Sequence, residues 1–218
     1  MNGAHEIEVA GEKLRLLAAP AVYWPAQSTL LAADLHFGKA AWFRAQGFPV
    51  PRGTTGDTLE RLANAVSVTD AKRLVILGDL LHARQDLPPA LIEDVARWRR
   101  NTALEVIVVR GNHDRRAGDP PAAWDMSVVD EPWMLGPFAL CHYPRPVPEG
   151  YALAGHLHPV VRLQAAGHDR VKLQCFWFGD RVGVLPAFGG FTGSAIIQPQ
   201  QDDRVYVVAD DAVLRVHC

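Results

Sequence analysis

Cysteine is scarce in this chain, with three residues in 218, and the three lie far apart. An odd and widely spaced set argues against a disulfide framework and favours a reducing cytoplasm. Long apolar runs are absent as well, since none approaches the roughly 20 residues that span a bilayer. Residues 1–14 carry three glutamates and lack the basic and apolar segments of a signal peptide. The sequence therefore predicts a cytoplasmic protein with no membrane partner.

The chain also lacks a strong charge of either sign. Its formal net charge of −2 gives no overall attraction to nucleic acid, so binding of a polyanion would have to use a local basic patch. Apolar residues make up 49% and charged residues 21%, ordinary values for a globular protein with a sizeable core. No repeat, low-complexity tract or linker interrupts the chain, and we expect one domain over residues 1–218.

Apolar strand patterns alternate with helical patterns in the first half of the chain, and strand patterns alone follow. This order predicts an α/β fold. The first half has predicted strands at 28–33, 73–77 and 105–109, and predicted helices at 54–68 and 87–100. The second half has short predicted strands at 128–129, 138–141, 151–154, 160–163, 171–178, 194–197, 205–208 and 213–216.

Five polar clusters lie where apolar strand patterns end. Strand ends are where open α/β sheets bring their loops together in one crevice. The clusters are Asp34-Leu35-His36, Gly78-Asp79, Gly111-Asn112-His113-Asp114, His142 and Gly155-His156-Leu157-His158. Taken singly, they have plainer explanations as surface polarity, a turn or a core histidine. In this order they favour one shared metal site.

The ligand types in these clusters indicate the chemistry. Two carboxylates (Asp34 and Asp79), one amide oxygen and five imidazoles are enough for two divalent cations that share a carboxylate, with one histidine to spare. Imidazole and carboxylate without thiolate suit manganese, iron or zinc and argue against a structural zinc site. We expect metal-assisted hydrolysis of a phosphate ester. Gly78, Gly111 and Gly155 precede ligands at turns where φ is positive or the backbone approaches the metals closely.

The order D-x-H, G-D, G-N-H-[DE], H, G-H-x-H, matched in full from Asp34 to His158, resembles the calcineurin-like metallophosphoesterase superfamily. The resemblance implies a four-layer αββα sandwich of two mixed β-sheets flanked by helices, with a binuclear metal centre. It implies that one metal is held by Asp34, His36, Asp79 and His158. It implies that the second is held by Asp79, Asn112, His142 and His156. In this scheme Asp79 bridges the metals, and His113 stands beside the scissile phosphate without ligating a metal.

The residues around the clusters resemble one branch of this superfamily. DLHFGK at 34–39, GDLLHA at 78–83 and the length of 218 residues are similar to the bacterial ligase-associated DNA damage response endonucleases. This resemblance implies a manganese-dependent phosphodiesterase that acts on DNA and is grouped with a DNA ligase and a helicase. Nothing in the composition itself indicates DNA.

One departure separates the chain from the serine/threonine protein phosphatases of the superfamily. Those enzymes read G-D-x-x-D-R-G, where the second Asp orients the catalytic histidine and the Arg binds phosphate. Here His82 and Ala83 occupy those two positions. The protein phosphatase interpretation is therefore disfavoured, and what orients His113 stays open. His82, close after Asp79, is as consistent with lining the pocket as with solvation.

Basic residues near the clusters are the remaining clue to the substrate. Arg84, Arg115 and Arg145 are predicted to bind the phosphate backbone, although most arginines are simply solvated. The expected mechanism is in-line attack of a metal-bridging hydroxide on phosphorus, with His113 protonating the leaving oxygen or hydrogen-bonding the phosphate.

Two alternatives stand beside this mechanism. One is a nucleotide or nucleotide-sugar pyrophosphatase with the same chemistry, which the absence of a long insertion to close over a small substrate disfavours. The other is an inactive scaffold, which the intact ligand set with His113 disfavours. The sequence leaves open the native metal, the strandedness of the substrate and the oligomeric state.

Overall fold

Two mixed β-sheets pack face to face in the computed structural model, which describes residues 3–50, 53–83, 87–164 and 170–217. The first sheet has seven strands, side by side in chain order. They are β1 (His5–Val9), β2 (Glu12–Leu17), β3 (Ala21–Trp24), β4 (Thr29–Ala32), β5 (Arg73–Leu77), β6 (Glu105–Val109) and β7 (Ser127–Val129). Strands β1 to β4 run antiparallel to their neighbours, whereas β4 to β7 run parallel.

Parallel strands need a crossover, and helices supply it here. Helix α1 (Lys39–Ala45) and helix α2 (Thr54–Thr69) lie between β4 and β5, helix α3 (Pro89–Arg100) lies between β5 and β6, and the short α4 (Asn112–Ala117) follows β6. Both faces of the parallel strands are buried. On β5, for example, Leu74 packs with the helices and Val75 packs with the other sheet. This explains why the strands read as continuous apolar runs.

The second sheet has nine strands and is built almost entirely from the second half of the chain. Its main order is β14-β11-β12-β13-β10-β9-β8, and a hairpin of two further strands, β15 and β16, pairs with β12. The strands are β8 (Trp133–Leu135), β9 (Phe138–Leu140), β10 (Tyr151–Ala154), β11 (Pro159–Gln164), β12 (Arg170–Phe178), β13 (Val182–Val184), β14 (Ala195–Ile196), β15 (Arg204–Ala209) and β16 (Ala212–Val216). Strand β10 is parallel to both of its neighbours, β9 and β13.

The core between the sheets draws large side chains from both. Trp24 of the first sheet meets Phe138 of the second edge to face, with ring centroids 4.9 Å apart. Phe176 and Phe178 of β12 are buried in the same cluster. Full burial of a side chain of this size contributes about 1.5–3 kcal/mol each. Because the two sheets share this core, we propose that residues 1–218 form one domain.

The α/β class and the two mixed sheets with a few helices are confirmed, and the predicted helices are observed at 54–69 and 89–100. Strands β1 to β3, β8 and β13 and helices α1 and α4 were not predicted from the sequence. Within the described residues, all α-helices lie before residue 118, and those that contribute to a core cluster pack on the seven-stranded sheet. None of the described helices is long and apolar enough to cross a membrane.

Candidate metal centre

The parallel strands of the first sheet deliver four of the predicted ligands to one edge. Asp34 and His36 follow β4, Asp79 follows β5, and Asn112 follows β6. Backbone bonds tie the first two loops together: the N–H of Asp34 donates to the carbonyl of Gly78 at 3.1 Å, and the N–H of His36 donates to the carbonyl of Asp79 at 2.9 Å. The backbone hydrogen bonding of the sheet therefore continues into these loops and fixes the positions of the predicted ligands.

The second sheet supplies the remaining imidazoles from two neighbouring parallel strands. His142 follows β9, and His156 and His158 follow β10. The N–H of Gly155 donates to the carbonyl of His142 at 3.2 Å, which joins these loops. The two sheets meet directly where the N–H of His156 donates to Oδ2 of Asp34 at 2.8 Å.

The structure brings the predicted ligands together in two groups of three. Within each group the candidate ligand atoms lie within 4.8 Å of one another. These groups are Asp34, His36 and His158, and Asp79, His142 and His156. A third group of the same kind joins His36 to His82 and His113, neither of which was predicted to ligate a metal.

Asp79, a member of the second group, also faces the first. Its Oδ1 is 3.4 Å from Nε2 of His142, and its Oδ2 is 3.9 Å from Nε2 of His36. Oδ1 of Asn112 lies 2.9 Å from Nε2 of His142 and so belongs with the second group.

The donor set fits divalent cations. Nε2 of His36 faces Nε2 of His158 at 3.4 Å, and Nδ1 of His156 faces Nε2 of His142 at 3.0 Å. Oδ1 of Asp34 is buried without a hydrogen-bond partner among the described residues. Lone pairs that converge in this way, on borderline nitrogen and hard oxygen atoms, are what a bound cation satisfies.

Carbonyl groups hold the far side of two imidazoles. Nδ1 of His142 donates to the carbonyl of Leu77 at 3.1 Å, and Nδ1 of His158 donates to the carbonyl of Gly193 at 3.1 Å. Partners of this kind fix the tautomer and the orientation of a ligating ring. Both histidines are therefore set with Nε2 directed into the site.

Unusual backbone angles are concentrated at these residues. A positive φ is uncommon for residues other than glycine and persists where the surrounding structure enforces it, often at functional sites. Among the described residues, five of the candidate ligands adopt one: Asp34 (55°), His36 (49°), Asp79 (51°), His156 (71°) and His158 (49°).

The glycines before the ligands are required for two different reasons. Gly78 has a φ of +80° and faces the imidazole ring of His142, which leaves no room for a side chain. Gly155 has no positive φ, but a Cβ there would lie 2.6 Å from Oδ2 of Asp34. The positive φ of Gly78 matches the expectation from the sequence, whereas Gly155 is required by its close approach to the side chain of Asp34.

Burial sets the protonation of the site. It lowers the pKa of His36 to about 2, with Lys39 and neighbouring histidines acting in the same direction, and it also lowers the pKa of His156. Burial raises the pKa of Asp79, while His142 acts against it. Desolvation thus disfavours the imidazolium form and leaves neutral nitrogen atoms able to ligate a metal.

His113 stands beside the two groups, half-buried at the mouth of the site. Its backbone N–H donates to Oδ1 of Asp79 at 2.9 Å, and its Nδ1 donates to the carbonyl of His82 at 3.1 Å. The carbonyl of His82 is thus the group that orients His113, which the sequence left open. The His82 ring stacks on the His113 ring at 4.9 Å, so His82 lies at the site.

Two of the three predicted substrate-binding arginines lie within the described residues. Arg84 lies outside the described residues. Arg115 is on α4, half-exposed, with Nη2 3.3 Å from Oδ1 of Asp130. Arg145 is exposed on the loop after His142.

Two carboxylates that were not singled out from the sequence support the ligand loops. Asp114 is buried and accepts hydrogen bonds from the backbone N–H groups of Leu81 and Gly111, both at 3.0 Å. Its position after Gly111-Asn112-His113 was the available signal. Glu131 accepts from the N–H groups of His142 at 2.7 Å and Tyr143 at 3.0 Å. No local pattern in the sequence indicates that role.

Comparison with known proteins agrees with this geometry. The family model for calcineurin-like phosphoesterases matches residues 28–156, and the chain belongs to this family. It is a metal-dependent phosphoesterase, and the two groups of histidine and aspartate are candidate sites for the two metals that the family uses.

A solved structure resembles the whole chain. The crystal structure of the Pseudomonas putida nuclease MPE matches with 45% sequence identity and a TM-score of 0.84, covering 98% of this chain and 100% of that one. The E. coli phosphoesterase Yfce, at 16% identity and a TM-score of 0.40 over 86% of this chain and 97% of that one, is too distant to inform the fold or function. Comparison with curated proteins gave no significant match.

Proposed function

We propose that this protein is a binuclear-metal-dependent phosphodiesterase, an endonuclease that cleaves DNA. The observation that carries the proposal is the pair of ligand groups that Asp79 joins, in a chain 45% identical over its length to a nuclease. A shared carboxylate allows two cations to act on one phosphate. A role in the DNA damage response, beside a DNA ligase and a helicase, belongs to the same proposal.

The proposed ligands follow the observed groups. Asp34, His36, Asp79 and His158 hold one ion, and Asp79, Asn112, His142 and His156 hold the other. When bound, the two ions lower the pKa of the attacking water and screen the charge that builds on the phosphate. Manganese is the expected metal, with iron and zinc as alternatives, because imidazole and carboxylate ligands suit all three.

His113 is the proposed proton donor. A carbonyl oxygen only accepts, so the bond to His82 places a proton on Nδ1 and leaves Nε2 for the substrate. In its imidazolium form, Nε2 can give a proton to the leaving oxygen of an in-line displacement. The backbone bond to Asp79 holds the residue at a fixed place beside the ligands.

A reducing cytoplasm is the proposed location. Cys141 and Cys175, the cysteines in the described part of the chain, are both buried and form no disulfide with each other. Burial raises the pKa of the Cys141 thiol to about 11, which keeps it protonated and unreactive.

A panel of substrates tests the proposal. Protein stripped of metal and reloaded with manganese should cleave DNA and a chromogenic phosphodiester, and should be poor on phosphomonoesters. A nucleotide pyrophosphate should also be poor. Cleavage of the pyrophosphate with DNA left intact would contradict the nuclease proposal and indicate a small-molecule pyrophosphatase. Absence of turnover on every substrate would favour an inactive scaffold.

A further inference from the structure

Three phenylalanines form a partly exposed surface beside the candidate metal centre, which we call the aromatic wall: Phe43, Phe48 and Phe191. Phe43 lies on α1, Phe48 follows that helix, and Phe191 comes from the loop before β14. Phe43 is in the middle, with ring centroids 5.5 Å from Phe48 and 5.4 Å from Phe191. Phe48 is 55% exposed and Phe191 is 37% exposed. Segments far apart in the sequence thus bring three rings to one place.

The aromatic wall is connected to His113 through His82. The Phe43 and His82 rings are nearly parallel, at 27° and 6.4 Å, and the His82 and His113 rings are nearly parallel, at 26° and 4.9 Å. These rings form a row that runs from the candidate centre outward to solvent. The row leaves the centre on the side of His113, where the proposed function places the leaving oxygen.

The contacts of the wall differ from those of an ordinary surface cluster. Exposed aliphatic residues such as Val68 and Leu214 offer no ring to stack on, and exposed Tyr143, whose ring lies 4.5 Å from that of His156, contacts the site as a single residue. Exposed rings next to a functional site mark a binding surface more often than isolated exposed residues do. A partner for this surface must have flat faces and must be attached to a phosphate at the metals.

The charges on α1 suit the same partner. The helix begins at Lys39, which is half-buried near the carboxylates Asp34 and Asp79, and its last turn carries Arg44. Cations beside aromatic rings are the combination with which proteins bind nucleic acid strands, because the cations meet the phosphates and the rings meet the bases. A nucleobase joined to the scissile phosphate satisfies both requirements.

The geometry points to the aromatic wall as the subsite that stacks the base of the leaving nucleotide. This inference rests on the proposed function, because it takes the phosphate at the metals to be part of a DNA strand. Phe48 and Phe191 then act as positioning residues: they hold the strand so that the leaving oxygen lies next to Nε2 of His113. They take no part in the bond-breaking step.

The test uses a short DNA strand in which every linkage but one is a methylphosphonate, so that a single phosphodiester can be cleaved. Matched strands carry an abasic residue on one or the other side of that linkage. Phe48→Ala and Phe191→Ala should each raise KM for the intact strand by about 5- to 100-fold, the range for loss of one stacked base, with a smaller change in kcat. On the strand that is abasic on the leaving side, the same variants should match the wild type.

Two further variants separate stacking from loss of apolar contact. Phe48→Tyr should keep the wild-type KM, and Phe48→Leu should behave like Phe48→Ala. Leu214→Ala, at a residue 54% exposed on β16, is the control and should change nothing. A second readout does not depend on turnover. The fluorescence of 2-aminopurine on the leaving side of the strand should be quenched when the strand binds the His113→Ala variant, and adding Phe48→Ala to that variant should remove the quenching.

The outcomes distinguish the inference from the function on which it rests. A rise in KM that is equal on intact and abasic strands, or full rescue by Phe48→Leu, would overturn the aromatic wall as a base subsite. Unchanged cleavage by both alanine variants would do the same while leaving the nuclease in place. A wild type that cleaves none of the strands with manganese, although it turns over other phosphoesters, would instead refute the proposed DNA substrate.

Discussion

Oδ2 of Asp34 accepts a hydrogen bond from the backbone N–H of His156 at 2.8 Å, although 122 residues separate the two. The bond joins the end of a strand in the first sheet to the ligand loop of the second. One carboxylate therefore offers Oδ1 to the candidate metal site and uses Oδ2 to hold the loop that brings two more ligands.

Removal of the shared carboxylate should be the most damaging ligand change. We expect Asp79→Ala to lose activity on a chromogenic phosphodiester and to bind fewer than two manganese ions, because Asp79 faces both ligand groups. Chelator should abolish the wild-type activity, and manganese should restore it. The measurement is metal content by mass spectrometry beside turnover. Full activity of Asp79→Ala, or of wild type in chelator, would contradict the assignment.

His113 should affect turnover without affecting metal content. His113 forms a third group with His36 and His82, but in the proposed scheme it ligates neither metal. His113→Ala should therefore lower kcat by about 10²- to 10⁴-fold, the range for loss of an acid–base group. Changing His156 to Ala should instead lower the occupancy of the second metal. Metal loss in the first variant together with full occupancy in the second would reverse these roles.

Glu131 should matter for the metal although it ligates none. It accepts from the backbone N–H groups of His142 and Tyr143, so Glu131→Ala frees the loop that carries a ligand. We expect manganese affinity to fall by about 10-fold, as is usual when a group that supports a ligand is lost. Glu131→Gln keeps a hydrogen-bond acceptor, so the manganese affinity of this variant should fall less. Glu149→Ala, at an exposed residue on the same loop, is the control and should keep the wild-type affinity.

Two glycine substitutions should change stability in opposite directions. A Cβ on Gly155 would lie 2.6 Å from Oδ2 of Asp34 and 2.8 Å from Cβ of Ala33, so Gly155→Ala should destabilise the fold by about 1–3 kcal/mol. Gly56 is in helix α2 with open space around it, and Gly56→Ala should stabilise by about 0.5–1 kcal/mol. Urea unfolding of the metal-free protein measures both. If the two variants change the free energy of unfolding by the same amount and in the same direction, the close approach at Gly155 does not destabilise the Gly155→Ala protein.

Charge reversal should separate DNA from small substrates. Arg145→Glu should lower DNA cleavage more than cleavage of a chromogenic diester, and it should weaken the dependence of DNA binding on salt. Arg115→Glu should have the smaller effect, because Arg115 is paired with Asp130. The ratio of the two activities is the measurement, and Arg84→Glu belongs in the same series. A ratio that stays constant across the three variants would argue against a phosphate-binding role for these arginines.

The strands that are buried on both faces could be predicted from the sequence, as could the meeting of the polar residues that follow them. Runs such as Arg73–Leu77 are unambiguous because both of their faces are apolar, and a polar pair directly after such a run indicates a strand end. Strands β1 and β2 were missed because alternating short segments such as His5–Val9 carry charged residues on one face. Strand β3 is apolar but only four residues long, and so short a run does not by itself indicate a strand. Whether they pair depends on neighbours that a local pattern does not contain.

The supporting contacts of the site could not be predicted for a related reason. Glu131 reaches the loop of His142 through backbone N–H groups, which have no sequence signature, and the carbonyl of His82 orients His113 whatever the side chain at position 82. The aromatic wall depends on Phe43 and Phe191, which the chain separates by 148 positions and the fold brings to 5.4 Å between centroids. Contacts of this type follow from the topology of the sandwich.

The division of the ligands between two sheets has a consequence for biosynthesis. The ribosome releases Asp34, His36, Asp79 and Asn112 well before the histidines that complete the site. Because loop closure over so many residues is slow compared with local folding, the nascent first sheet exists for a time with half a site and an uncovered apolar face. We therefore expect metal loading to be a late event, after the second sheet has docked, with each bound ion shifting the equilibrium further toward the folded protein by mass action.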